Sequence, residues 1–272
     1  MIVFVGFFCY LCLAKWDVSG FERFMLKWHL RRRIRNAWAA FHPGETNYRM
    51  QMESIGPFTI AYRGRTADES VLAHSFDQDI FFAGVPELQP SPDAVLIDIG
   101  AHIGTFSLLA ASKAKAGRVY AIEASGETFN YLKVNAALNP ALPISVFHLA
   151  MADHEGEITL HHDRKNWGHT ITKKLSARGE IVQAMTLDRF MQVQKIDHVD
   201  FIKFNCEGAE FQILMSTPLE TLRKVDMMLV LYHLDLVTDY SLSDLIDKLT
   251  KAGFKTDLRN QEQWRGWILA SR

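Results

Sequence analysis

The chain has 272 residues, with 30 Lys and Arg against 31 Asp and Glu, 48% hydrophobic residues and 22% charged ones. These ordinary values exclude a disordered or collagenous chain, and three cysteines, Cys9, Cys12 and Cys206, cannot build a framework of bridges. The length suits one catalytic-size α/β domain with an extension.

Charge is spread unevenly. Residues 1–50 carry eight Lys and Arg against three Asp and Glu, whereas the remainder is net acidic. Ile2 to Ala14 is uncharged, but as a helix it would reach only about 20 Å, short of a hydrocarbon core of about 30 Å. With Met1 alone ahead of it and Lys15-Trp16-Asp17 behind, it lacks the basic start and cleavage site of a secretory signal. From Phe21 to Phe41, Arg31, Arg32, Arg33 and Arg35 stand among Trp28, Ile34, Trp38 and Phe41, the residue types of a membrane-surface helix. At helical spacing, however, the apolar residues fall on two nearly opposite faces. Residues 1–45 are therefore expected to form an apolar, basic extension, either in peripheral contact with a membrane or packed on a catalytic domain of residues 46–272. That places the chain in the cytoplasm or at the inner face of a membrane. Cys9 and Cys12 have C-x-x-C spacing without βαβ surroundings and read as small hydrophobes. No basic-and-aromatic pattern recurs downstream, which argues against a nucleic-acid partner.

From Pro57 onward, strand-like and helix-like segments alternate. Phe58 to Arg63 reads as a strand and Val71 to Ala83 as a helix. Ala94 to Ile99, Val119 to Ile122, Ile144 to Leu149, Val199 to Phe204 and Met227 to Tyr232 are runs apolar on both faces, the pattern of parallel strands buried between helices. Helical stretches lie between them at Phe106 to Lys115, Glu127 to Leu138 and Glu207 to Met215. Ser241 to Ala252 reads as a serine-capped helix stopped by Gly253, before a last pair of strands near Lys255 to Leu258 and Trp267 to Ala270. The expected fold is a doubly wound α/β sheet, mostly parallel, with helices on both faces. Glu157 to His162 and Ile181 to Ala184 break the alternation and read as an inserted β-hairpin around a polar loop.

In such a sheet, ligands sit at the carboxyl ends of the strands beside the point where strand order reverses. The turn there reads Asp98-Ile99-Gly100-Ala101-His102-Ile103-Gly104, with G-x-x-x-G spacing. A pyrophosphate fingerprint would need a second glycine where His102 stands, which argues against a nicotinamide-dependent oxidoreductase. Asp98 would repel a pyrophosphate and suit a cationic amino group. Glu123, ending the next strand, has the chemistry to accept both hydrogen bonds of a ribose diol. Together these features point to a nucleoside site.

The segments VLIDIGAHIGTFSLLAA (95–111), VYAIEAS (119–125), VFHLAMADHEGEITL (146–160), TLDRF (186–190) and DFIKFNCEGAEFQIL (200–214) resemble, in order, the motifs of the FkbM family of S-adenosylmethionine-dependent methyltransferases. The resemblance spans about residues 57–255. It implies a class I methyltransferase fold, Rossmann-like, with S-adenosylmethionine as cofactor and a hydroxyl of a sugar, glycolipid or complex metabolite as acceptor. Carried over by position, it implies that Asp98, Gly100, Ala101, His102 and Gly104 hold the methionine part, Glu123 the ribose, and Ala124, Met151, Ala152 and Asp153 the adenine. The family usually has Asn at 102 and Asp at 205.

Transfer to oxygen needs in-line alignment and benefits from a base. Neutral Asn205 cannot accept a proton. Base duty is therefore expected of Glu207 or His233, with His161, His162 and His169 of the hairpin as alternatives, while Lys203 and Glu210 could form a structural ion pair. A chain that binds the cofactor as a scaffold without turnover is the competing expectation. No His, Asp or Glu group has ligand spacing on one element, so no metal is expected.

Overall fold

The computed structural model describes residues 50–161, 170–171 and 179–272. The expected extension over residues 1–45, the Cys9–Cys12 pair and the hairpin residues His162 and His169 lie outside them. No helix among the described residues is long and apolar enough to cross a membrane.

The described chain begins with an antiparallel pair, β1 (Met50–Ile55) and β2 (Phe58–Arg63), followed by a short helix α1 (Ala67–Leu72). Strand β1 was not expected. Its methionines at 50 and 52 point to solvent, 60% and 59% exposed, while the half-buried face carries Gln51 and Glu53 with Ile55 its one buried apolar residue, so no apolar alternation marks it in the sequence. The predicted helix from Val71 to Ala83 is instead the end of α1 followed by one π-helical turn, Ala73–Asp77, and irregular turns. The hairpin is clipped to the domain by two asparagines that imitate a neighbouring strand. Asn135 accepts from the Ala61 N–H at 2.7 Å and donates to the Ala61 and Ile103 carbonyls, while Asn139, one helical turn on, exchanges the same pair of bonds with Thr59.

The domain then alternates β3 (Val95–Ile99), α2 (Thr105–Lys113), β4 (Arg118–Glu123), α3 (Gly126–Leu138) and β5 (Ile144–His148). Next come β6 (Ala150–Met151), β7 (Gly156–His161), β8 (Gly179–Met185) and α4 (Leu187–Gln194), then β9 (Val199–Phe204), α5 (Ala209–Ser216), α6 (Leu219–Leu222), β10 (Val225–His233), α7 (Leu242–Lys251), β11 (Lys255–Arg259) and β12 (Arg265–Ser271). The main sheet has the order β11-β12-β10-β9-β3-β4-β5. Only β12 pairs antiparallel with its neighbours there. Numbered among themselves, these seven strands run 6-7-5-4-1-2-3, the class I methyltransferase arrangement, and the order reverses between β3 and β9. The expected hairpin is β7 with β8, joined by β6 into a second, three-stranded sheet.

Alternate strand residues bury against different layers. Ile97, Ile99, Ile202 and Phe204 face a cluster with Phe190 of α4, Phe211 of α5 and Leu245 of α7, whereas Leu96 and Phe201 face Phe106 and Ala110 of α2. Helices therefore cover both faces. Ser241 caps α7 in a reciprocal box with Asp244, and Gly253 follows it at φ +97°, as the sequence indicated.

Candidate active site

The carboxyl ends of β3, β4, β9 and β10 converge where the strand order reverses. Gly100 has φ +73°, and a Cβ there would collide with the Asn205 carbonyl. Only glycine lets the turn after β3 lie against the end of β9. The turn is latched on both sides: Gly100 and Ala101 donate to the Ile122 carbonyl at 3.0 and 2.9 Å, and Asn205 N–H donates to the Ile99 carbonyl at 3.0 Å. Gly104, at φ +89°, packs against Leu132 and opens α2.

Glu123 ends β4 with its carboxylate buried. Oε2 accepts the His102 N–H at 2.8 Å and Oε1 the Ser125 N–H at 2.9 Å. Burial pushes its ionisation above the ordinary carboxylate range, and the two backbone donors oppose the rise. A carboxylate offers about four lone-pair sites, so acceptor capacity remains on both oxygens.

Asp98 does not meet the expectation that it would hold a ligand's cationic group directly. It is fully buried, Oδ1 lies 2.7 Å from Lys203 Nζ, Oδ2 accepts from the Ser107 hydroxyl at 2.7 Å, and the side chain lines neither of the two cavities at these strand ends. The protein supplies the cation itself. Lys203 also donates to the Gly100 carbonyl at 3.1 Å, and therefore does not pair with Glu210 as anticipated.

Two cavities meet at Gly100, Glu123 and Asn205. The first is a narrow slot walled by Ile122, Ala124, Leu149, Met151 and Cys206, with Leu160 and Ile171 of the inserted segment also in its lining. The inserted hairpin thus contributes to this slot. Burial and the nearby carboxylates of Glu210, Glu207 and Glu123 hold the Cys206 thiol protonated. Of the residues expected at the adenine, Ala124 and Met151 line this slot. Ala152 and Asp153 do not: Ala152 is sealed in the small core of the second sheet, and Asp153 points to solvent against His154 at 2.7 Å. Leu149, Leu160 and Ile171 complete the apolar lining. Apolar walls for a flat base, with a carboxylate at the mouth for a diol, fit a nucleoside.

The second cavity has a volume of about 450 Å³. Ala101 and His102 form one side, His74, Ser75 and Gln78 come from the π-helical turn and its end, and Tyr232, His233, Arg265 and Trp267 come from β10 and β12. Gly104 and His161 line neither cavity. His161 instead exchanges backbone hydrogen bonds with Thr170, whose hydroxyl donates to the Glu207 carbonyl at 2.6 Å.

Glu207, His233 and an unforeseen third residue come together. Glu207 sits in the turn before α5 at φ +51° and does not cap that helix, which begins at Ala209. His233 Nδ1 lies 2.7 Å from Oε1 of the buried Glu210, and Nε2 lies 3.6 Å from Glu207 Oε2. Burial raises the Glu207 carboxyl, with the imidazole opposing. Burial alone would lower His233, but the Glu210 hydrogen bond and the charges of Glu210 and Glu207 outweigh it and the net direction is up. The sequence held one signal for this pairing: Glu210 lies in the first turn of a helix that follows a strand-end motif.

Among the described residues, one His and carboxylate group has metal-ligand proximity, His198 with Asp200 and Asp226. It stands at the amino ends of β9 and β10, away from both cavities. His198 lies 3.1 Å from Asp226, and Asp200 is engaged by the Val95 N–H at 2.7 Å.

Several known proteins are similar to this chain. Hexuronic acid methyltransferase AglP of Haloferax volcanii is 22% identical over 181 residues, 66% of this chain and 71% of AglP. AMB antimetabolite synthetase AmbE of Pseudomonas aeruginosa is 26% identical over 215 residues, 64% of this chain but only 10% of AmbE. The solved FkbM methyltransferase of Methylobacillus flagellatus superposes with TM-score 0.47 at 17% identity, covering 70% of this chain and 46% of that one. Precorrin-6y C5,15-methyltransferase of Geobacter metallireducens gives TM-score 0.44 at 12% identity, over 72% and 89% of the two chains. The model of the methyltransferase FkbM domain matches residues 98–256, more than half of the sequence and the whole of the strand-end constellation described above, and the chain belongs to this family of S-adenosylmethionine-dependent methyltransferases.

Proposed function

We propose that this methyltransferase acts on oxygen, methylating a hydroxyl of a saccharide or a related polyhydroxylated metabolite. The observation that carries the reading is the way Glu123, Gly100 and Asn205 stand in both walls, so that a nucleoside in the slot leads directly into a chamber edged by His233 and Glu207. S-adenosylmethionine, when bound, supplies an electrophilic methyl group on a sulfonium. Glu123 holds the ribose diol, and Ala124 and Met151 with Leu149 and Leu160 hold the adenine. Gly100, Ala101 and His102 bound the methionine part. Gly104 and Asp98 act at one remove, Gly104 by opening α2 and Asp98 by fixing Lys203 against the Gly100 carbonyl. Asn205 orients without taking a proton, and His233 is the base.

The chamber's Trp267, Tyr232 and Phe81 offer apolar surfaces to sugar C–H faces, and Asn260 and Arg265 offer donors to hydroxyl or carboxylate groups. AglP's name supports a saccharide acceptor. The test is transfer of labelled methyl from S-adenosylmethionine to methyl glucoside and methyl glucuronoside, followed by ether-linkage analysis of the product. Methylation of nitrogen acceptors alone would overturn the reading. Asn205, neutral where the family usually has an acid, favours one alternative, a cofactor-binding scaffold, which would bind without turnover.

Peripheral membrane contact through residues 1–45 is part of the same proposal and rests on composition alone. It fails if the full chain does not float with anionic liposomes.

A further inference from the structure

Glu210 has no role in the account so far, although it is the charged group closest to the ring of His233. It occupies the first turn of α5, fully buried, with Oε1 2.7 Å from Nδ1. Its second oxygen, Oε2, is buried without a hydrogen-bond partner among the described residues. A carboxylate so enclosed is costly unless a neighbour answers its charge, and the imidazole is that neighbour. On the other side of the ring, Nε2 lies 3.6 Å from Glu207 Oε2, too far for a hydrogen bond, and the ring lines the larger cavity.

We propose that Glu210 is a positioning residue that fixes His233 with its proton on Nδ1, leaves the Nε2 lone pair open to the acceptor hydroxyl, and holds the imidazolium once the proton has moved. The inference rests on the methyltransferase reading above and adds the origin of its base. The acceptor O–H bond breaks with the proton going to Nε2, the oxygen pair forms the bond to the methyl carbon, and the carbon–sulfur pair stays with sulfur. His233 afterwards returns its proton to water. The groups acting on the ring are Glu210 and Glu207, which favour the imidazolium, and Arg265, which disfavours it.

The full chain labelled with ¹⁵N-histidine tests this without turnover. Long-range ¹H–¹⁵N spectra report tautomer and titration, with His233 assigned by its disappearance in His233→Asn. Above its midpoint, wild-type His233 should carry its proton on Nδ1. Glu210→Gln keeps an acceptor and removes the charge. It should lower the His233 midpoint by about one to two pH units whether or not the melting temperature falls with it, while S-adenosylhomocysteine affinity stays unchanged. A residue that only braces the fold would lower the melting temperature and leave the midpoint in place. That result, or an Nε2–H tautomer in the wild type, would overturn the proposal. Should Glu210→Gln fail to fold, the wild-type tautomer decides alone, Nδ1–H supporting the proposal and Nε2–H overturning it. Absence of S-adenosylhomocysteine binding to the wild type would instead sink the methyltransferase reading, and the two failures are told apart.

Discussion

Lys203 Nζ reaches Asp98 Oδ1 at 2.7 Å and the Gly100 carbonyl at 3.1 Å, so a cation from β9 both neutralises the acid of β3 and closes the turn that follows it. Lys203 lies 5.9 and 5.7 Å from the ring centroids of Phe81 and Phe106, where water has little access. The site is thus built around an internal charge pair rather than around an acid waiting for a ligand.

Breaking that pair should unfold the domain readily. Lys203→Met leaves Asp98 buried and unpaired, a change expected to cost about 3–5 kcal/mol. Asp98→Asn combined with Lys203→Met should cost less than Lys203→Met alone, because no orphan charge is left. Urea unfolding of the three proteins measures both effects, and a single variant as stable as wild type would contradict the burial argument.

Gly100→Ala forces a Cβ toward the Asn205 carbonyl at a φ that an L side chain resists. Either the turn or the end of β9 must move. S-adenosylhomocysteine affinity should fall at least about tenfold, equivalent to about 1.4 kcal/mol, with a lowered melting temperature.

Glu123→Gln removes the charge from a carboxylate that still has lone pairs to offer. Losing one charged hydrogen bond of about 1.5–3 kcal/mol predicts a drop in S-adenosylhomocysteine affinity of about 10- to 100-fold by calorimetry. Because burial raises the Glu123 ionisation, wild-type affinity should weaken on acidification at a pH above the usual glutamate midpoint of about 4.3. Affinity flat through that range would remove Glu123 from the diol contact.

The pH dependence of transfer should follow His233. Its net shift is upward, so the imidazole keeps its proton to a higher pH than an ordinary histidine and becomes a usable base only above about 6.5. The rate on a turned-over acceptor should rise with pH on a limb centred above that value, and the limb should move to lower pH in Glu210→Gln. A limb at ordinary carboxylate pH would assign the base to a carboxylate instead.

Much of this architecture was legible because buried parallel strands must be apolar on both faces. Val199–Phe204 appears in the structure with the predicted bounds, and Ser241 announces α7 by chemistry local to the cap. Glu123 was legible for a related reason, since a carboxylate ending a strand after a glycine turn has few other uses. What stayed hidden depends on contacts across the sheet. Nothing local says that Lys203 turns to Asp98, 105 positions away, while Glu210 turns to His233, 23 away. Asp153 illustrates the converse: two residues beyond Met151 of the slot, the chain has already turned out to solvent. Strand β1 left no mark because its methionines face water.

The most direct test of the central claim is calorimetric titration of the full chain with S-adenosylmethionine and S-adenosylhomocysteine, with NAD as comparator. The account predicts micromolar binding of both sulfur ligands at one site and none of NAD. Binding of NAD in their place, or binding of none of the three to a folded sample, would contradict it.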